Sequence, residues 1–291
     1  DISGKAHIRE GEEKIHAMME DYEGVIIWDL PSQIRNRYLK YSFSHSIRCY
    51  MSPKISDIIL LGTDRIHLFD TPLLMCRNQG LSMEQRAAKR VLDIIVSGLG
   101  IIVSSPIMLI IAIAVKAYDG GPVFYLQDRL TYQGKEFRIR KFRSMCVDSE
   151  KNGARLASKH DSRITPVGHV LRNLHLDELP QLFNVFMGDM SLVGPRPERD
   201  VIMQEYEQEI PEFHYRLKVK AGLTGYAQVY GKYNTTPYDK LKLDLFYIEN
   251  YSFLLDIKLL FMTVKIFFQK EVSEGVDDNQ KNALKDSEDK K

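Results

Sequence analysis

The chain has 291 residues, 44% hydrophobic and 27% charged, which excludes a disordered chain and, at roughly 150 residues per domain, suggests about two domains. Its 40 basic and 39 acidic residues leave a net charge of +1, so no overall field draws in nucleic acid and no nucleic-acid partner is expected. Cys49, Cys76 and Cys146 are odd in number and far apart, with no CxxC pair or zinc-ligand cluster, which points to a reducing compartment.

The first elements alternate. GVIIWDL at 24–30 reads as a strand before Pro31, a polar helical stretch runs to about Lys40, and SIRCYM at 46–51 reads as a second strand. The apolar runs DIILLG and HLFDTPLLMC follow, and residues 1–85 are expected to form a small α/β module, part of a larger Rossmann-like domain. No GxGxxG follows a strand there, so a scaffold or regulatory role is the default over nucleotide binding. With neither an initiator Met nor a signal-peptide pattern at its start, the chain is expected to be a piece of a longer one.

From Ile94 to Val115 there are 22 residues without a charge. As a helix these would extend roughly 33 Å, enough to reach across a bilayer. Pro106 lies at the midpoint, after Ser104 and Ser105, and removes an amide donor while crowding the preceding turn. A helix break is expected at Ser105 and Pro106, with the serine hydroxyls bonding the stranded carbonyls. Basic residues flank both ends, among them Lys89 and Arg90 before it and Lys116 and Arg129 after it. Positive residues mark the cytoplasmic side, so the segment 94–117 is expected to enter and leave on one face, as a re-entrant helix in membrane lipid.

Next comes a β-hairpin, VFYLQDRLT and EFRIRKFRSM around the turn YQGK, whose alternation sets Phe137, Ile139 and Lys141 on one side and Arg138, Arg140 and Phe142 on the other. Attraction to anionic lipid accounts for part of this basic surface, and Lys141 and Arg143 are candidates for phosphate contact. Residues 165–187 read as helical with a break at His175 or Leu176. FLLDIKLLFMTVKIFF at 253–268 is helical, with Asp256, Lys258 and Lys265 on different faces, and suits either a core or a membrane surface. The tail 271–291 is polar and expected to be disordered.

An isolated DELP, as at 177–180, reads first as a helix N-cap. Its surroundings suggest chemistry. Arg196 stands between two prolines in GDMSLVGPRPE, Arg172 lies just upstream, and arginine's planar fork suits phosphate. A helix N-terminus would keep a carboxylate ionised and favour a phosphoryl group, and Asp177 with Glu178 could hold Mg²⁺. The set fits phosphoryl transfer.

From about Lys89 to Phe268 the chain resembles the monotopic bacterial phosphoglycosyl transferases, also called bacterial sugar transferases or exopolysaccharide polyprenyl glycosylphosphotransferases. The resemblance rests on KRVLDIIVS, the SSP step, GGPVFYLQDRLTYQGKEFRIRKFRSM, LDELPQLFNVFMGDMSLVGPRPE and KAGLTGYAQVYGKYN, in this order. It implies a cytoplasmic mixed α/β catalytic domain at 86–270 on the inner membrane of a bacterium, preceded at 1–85 by the later part of a nucleotide-binding-like module. It implies transfer of a sugar 1-phosphate from a UDP-sugar to undecaprenyl phosphate with release of UMP, the first membrane step of exopolysaccharide, capsule or O-antigen synthesis. Galactose or glucose would be the sugar. It further implies that Asp177 is the nucleophile that forms an aspartyl phosphosugar, that Glu178 completes the dyad, and that Mg²⁺ is the cofactor. Lys141, Arg172, Arg196 and Lys232 would bind phosphate. Lys232, in YGKYN, stands where many relatives carry Arg, so the charge is kept and the fork is lost. A homodimer is compatible with all of this.

Rival classes fit less well. No DxD occurs for a soluble nucleotide-sugar glycosyltransferase, and GYAQVYGKY has five residues between its glycines and Tyr233 where a P-loop needs Ser or Thr. A non-catalytic membrane scaffold for polysaccharide assembly is the remaining alternative.

Overall fold

A computed structural model describes residues 4–76, 80–147, 161, 163–232 and 235–267. The tail 271–291 lies outside them. The chain separates into two compact units, Asp1–Asp57 and Ile58–Lys291.

The first unit has a 3-10 turn at Ile8–Glu10, then α1 (Glu12–Glu20), β1 (Gly24–Ile27), α2 (Ser32–Ser44) and β2 (Arg48–Met51). β1 and β2 pair in parallel with Val25 opposite Cys49, a geometry that needs the crossover α2 supplies. Ile15, Met19, Ile27 and Tyr38 are its core. This is the strand, helix, strand order expected from the sequence. Two strands make up the sheet among the described residues, one βαβ step of mixed α/β structure.

The DIILLG run falls in α3 (Ile55–Leu61), and HLFDTPLLMC contributes to an antiparallel hairpin of β3 (Asp64–Leu68) and β4 (Thr71–Met75). α4 (Met83–Asp119) then runs for 37 residues, or about 56 Å at 1.5 Å per residue. Its start is fixed by a capping box, in which Ser82 accepts from the Gln85 amide and Gln85 accepts from the Ser82 amide. Gly120, at φ 70, ends it in the left-handed conformation open to glycine.

Helical structure continues through Pro106, so a change of direction there is a bend within one helix and not a loop between two. Ser105 Oγ donates to the Ile102 carbonyl at 2.8 Å, the acceptor that the missing Pro106 amide leaves without a partner. Ser104 Oγ donates to the Gly100 carbonyl at 2.6 Å. Ser105 makes the repair expected of the serines, whereas Ser104 bonds a carbonyl that the proline does not strand.

Both halves of α4 dock on one body. In the first half, Lys89 reaches Asp256 and Asp93 accepts from Ser191 and Leu192. In the second, Met108, Ile111 and Val115 form a core with Phe142 and Leu171. The opposite side leaves Leu99, Ile102, Val103, Leu109, Ile110 and Ile113 exposed, more contiguous apolar surface than water favours. Among the described residues α4 alone is long and apolar enough to cross a membrane.

β5 (Phe124–Leu130) and β6 (Glu136–Phe142) form the expected antiparallel hairpin around a 3-10 turn, with Tyr125 opposite Lys141. Phe137 and Ile139 are buried on one face, and Phe142 on the other, because it stacks on Phe124 beneath α4. After α5 (Pro166–Asn173) and α6 (Gln181–Met187), β7 (Ser191–Val193) pairs in parallel with β8 (Gly222–Thr224). A Cβ at Gly222 would sit 2.1 Å from the Gly194 nitrogen, so only glycine permits this approach. α7 (Asp200–Glu209) and a 3-10 stretch, Pro211–Lys218, lie between these strands, and α8 (Tyr226–Tyr230), α9 (Pro237–Glu249) and α10 (Phe253–Phe267) complete the unit.

α10 takes parts of both roles that the sequence left open. Asp256 and Leu259 are buried, whereas Phe253, Leu254, Phe261 and Val264 are exposed.

Candidate active site

Thr165 caps α5 by accepting from the Gly168 amide at 2.9 Å, and Pro166 supplies a first turn that needs no donor. The helix stops before His175, whose φ of 53 is left-handed and turns the chain. That break lies where the sequence predicts it. Asp177 and Glu178, however, do not open α6. They sit on a separate 3-10 turn, Leu176–Glu178, and Pro180 takes the cap position of α6. The dyad is therefore governed by burial and side-chain charges and not by the cap of α6.

Two elements bring cations to Glu178. From β6, Lys141 Nζ lies 2.6 Å from Glu178 Oε1, and from the loop after β7, Arg196 Nη2 lies 2.9 Å from the same oxygen. Burial pushes the Glu178 carboxyl upward, but the Arg196 and Lys141 charges and hydrogen bonds outweigh it and hold the group far below the usual glutamate value. Asp177 behaves oppositely. Burial, then the Glu178 charge, raise its pKa, while Lys141 and Arg172 pull it down without cancelling the rise. Adjacent carboxylates pushed in opposite directions are a recurrent sign of divided roles.

The other expected ligands divide. Arg172 Nε donates to Ser144 Oγ at 2.8 Å, and its charge acts on Asp177. Arg143 is buried in an ion pair with Asp119 at the end of α4, and among the described residues no ion pair joins it to the dyad. Lys232 is exposed and its amide donates to Thr235 Oγ1 at 2.7 Å. Among the described residues no ion pair joins it to the dyad.

Three residues that sequence reasoning missed set the position of α6. Asn184, fully buried, accepts from the Arg140 amide at 3.0 Å and donates to the Arg138 carbonyl at 2.8 Å, as a neighbouring strand would. At the C-terminal end of α6, Arg90 donates to the carbonyls of Val185 and Phe186 at 2.8 and 2.7 Å, and Lys220 to that of Gly188 at 2.7 Å. These cations satisfy the terminal acceptors and oppose the helix dipole. An Asn three residues into a helix carries a readable hint, since it is a poor helix former unless its side chain has a partner.

Among the described residues no group of three or more His, Cys, Asp or Glu side chains could enclose a metal. Mg²⁺ usually takes one or two carboxylates and completes its shell with phosphate and water, so Asp177 and Glu178 have the donor chemistry for it.

A family model for bacterial sugar transferases matches residues 84–270. The UDP-N-acetylgalactosamine-undecaprenyl-phosphate N-acetylgalactosaminephosphotransferase of Aeromonas hydrophila is 44% identical over 180 residues, covering 61% of this chain and 43% of that one. A UDP-glucose:undecaprenyl-phosphate glucose-1-phosphate transferase of Klebsiella pneumoniae is 38% identical over 262 residues, covering 87% and 54%. The undecaprenyl-phosphate galactose phosphotransferase of Salmonella typhimurium is 36% identical over 237 residues, covering 75% and 49%. The chain thus spans about half the length of the curated relatives it matches.

Proposed function

The chain belongs to the bacterial sugar transferase family, and from that premise we propose that it moves a sugar 1-phosphate from a UDP-sugar to undecaprenyl phosphate at the cytoplasmic face of the bacterial inner membrane. The observation that carries this is the divided dyad: a buried Asp177 beside a Glu178 that is held ionised by Lys141 and Arg196. A carboxylate shielded from water and flanked by cations is suited to attack phosphorus.

An Asp177 carboxylate oxygen bonds to the β-phosphorus as the bond to the bridging oxygen breaks, and UMP leaves with the electron pair. The acceptor's phosphate oxygen then attacks the aspartyl phosphosugar and returns the carboxylate, leaving a lipid diphosphosugar. Lys141, Arg172 and Arg196 offset the charge of the phosphates. Mg²⁺, held by Asp177 and Glu178, would screen the anionic donor from the nucleophile. Lys232 is assigned as a further phosphate-binding cation. Residues 1–85 we assign to a nucleotide-binding-like module that is not used in the chemistry.

The docking of both halves of α4 on one catalytic body supports entry and exit on the same face, with the apolar side in lipid. A one-sided anchor puts the dyad where a water-soluble donor and a lipid acceptor can meet. The three relatives are named for three different sugars, and galactose or glucose is the proposal here.

The test is purified protein with Mg²⁺, undecaprenyl phosphate and a panel of UDP-sugars, read as UMP release. Release dependent on the acceptor and lost in Asp177→Asn supports the proposal. No release with any UDP-sugar favours the scaffold alternative.

A further inference from the structure

The loop that carries Arg196 has two arginines behind it. Arg216, in the 3-10 stretch before β8, has a side chain 4% exposed and joins Asp244 of α9, whose side chain is 2% exposed, at 2.8 Å. The same guanidinium donates from Nη2 to the Arg196 carbonyl at 3.0 Å and lies 3.6 Å from Glu198 Oε1. From β5, Arg129 Nη1 donates to the Pro197 carbonyl at 3.1 Å, and the Leu130 amide to the Glu198 carbonyl at 3.0 Å. Three consecutive residues, 196–198, are thereby held by their backbones from two sides. Pro195 and Pro197 remove further freedom on either side of Arg196.

Arg196 itself is in a different position. Its side chain is 51% exposed, and Glu178, at 2.9 Å, is its one ion-pair partner among the described residues. A long side chain with one partner loses precision unless its backbone is fixed. Burying the Arg216–Asp244 pair is costly and does little for net stability, which leaves its specific geometry as its contribution. Its fork has the shape to read a carbonyl and two carboxylates at once, and lysine does not.

We propose that Arg216 is a positioning residue for the transfer reaction, acting through Arg196: paired with Asp244, it fixes the 195–198 loop so that Arg196 meets Glu178 and the substrate phosphates. This rests on the reaction proposed above. Arg216 touches no reacting atom.

The experiment is a double-mutant cycle on the purified full chain, with UMP release as the rate and UMP affinity as a second readout. Arg216→Lys keeps a cation for Asp244 and loses the fork. In the wild-type background it is expected to lower kcat by about 10- to 100-fold, the scale on which small misplacements act. In an Arg196→Ala background its further effect is expected to be under about 2-fold, because the residue it acts through is gone. Glu198→Gln, at the accessible edge of the clamp, is expected to behave alike with a smaller loss and serves if Arg216→Lys does not fold. Equal losses in both backgrounds would mean a merely structural role and overturn the proposal, as would a fully active Arg216→Lys. Wild-type protein that neither binds UMP nor releases it removes the underlying reaction, and this inference with it; active wild-type protein with an additive cycle removes this inference alone.

Discussion

Lys89, near the start of α4, and Asp256, in α10, form a buried ion pair 2.6 Å long, closed by Tyr247, which accepts from Lys89 and donates to Asp256. The pair fastens the membrane-facing helix to α10.

Removing one partner leaves a buried charge uncompensated. Lys89→Met is expected to destabilise the protein by about 3–5 kcal/mol, and Lys89→Met with Asp256→Leu to recover most of the loss. Thermal unfolding in one detergent, read for both variants, checks this. A double variant no better than the single one would show that the ion pair's own geometry holds the helices.

The Ser105 hydrogen bond to Ile102 leads to a reciprocal test. Ser105→Ala leaves a carbonyl without a donor and is expected to cost about 1–3 kcal/mol. Adding Pro106→Ala restores the missing amide and should return stability to near wild type. Chemical or thermal unfolding of the two variants measures the difference.

If α4 enters and leaves on one face, its two flanks share a compartment. Cysteines placed at Met83 and Tyr118, both exposed, in a chain freed of Cys49, Cys76 and Cys146, should both resist a membrane-impermeant maleimide in intact cells. Both should react after permeabilisation. Labelling of one flank alone from outside would mean a true crossing.

The dyad's opposite shifts give a signed pH dependence. Glu178 has its folded pKa below the unfolded value of about 4.3, so its ion pairs stabilise the protein above that value and the contribution is lost as pH falls toward the folded one. Asp177 has its folded pKa above the unfolded value of about 3.9, so its ionisation costs stability as pH rises through the window between them. Activity needs the Asp177 carboxylate, so kcat/KM should fall on the acid side at a pH above the ordinary aspartate range. Glu178→Gln removes the like charge and should move that limb to lower pH, whereas Lys141→Met should move it higher. Rate profiles at fixed Mg²⁺ read both shifts, and a limb unmoved by either variant would detach it from Asp177.

Much of this was legible in the sequence because it depends on local physics. The hairpin, the α5 stop at His175 and the serine repair of Pro106 follow from alternation, backbone restriction and an absent amide. The dyad's nearest company, Lys141 and Arg196, was legible through motifs. What was hidden depends on long-range pairing. Nothing local marks Lys89 as the partner of Asp256, 167 positions away, or Arg216 as the support of Arg196. The pairing of Arg143 with Asp119 was hidden for a related reason: their proximity appears only once α4 and the hairpin are packed.

The central claim is that Asp177 carries the sugar phosphate during transfer. Protein incubated with a UDP-sugar in the absence of acceptor should release about one UMP per site in a burst and gain the mass of one phosphosugar on the peptide containing Asp177. Undecaprenyl phosphate should remove the adduct, and Asp177→Asn should form none. Sustained acceptor-dependent UMP release by Asp177→Asn, or an adduct on another residue, would contradict it.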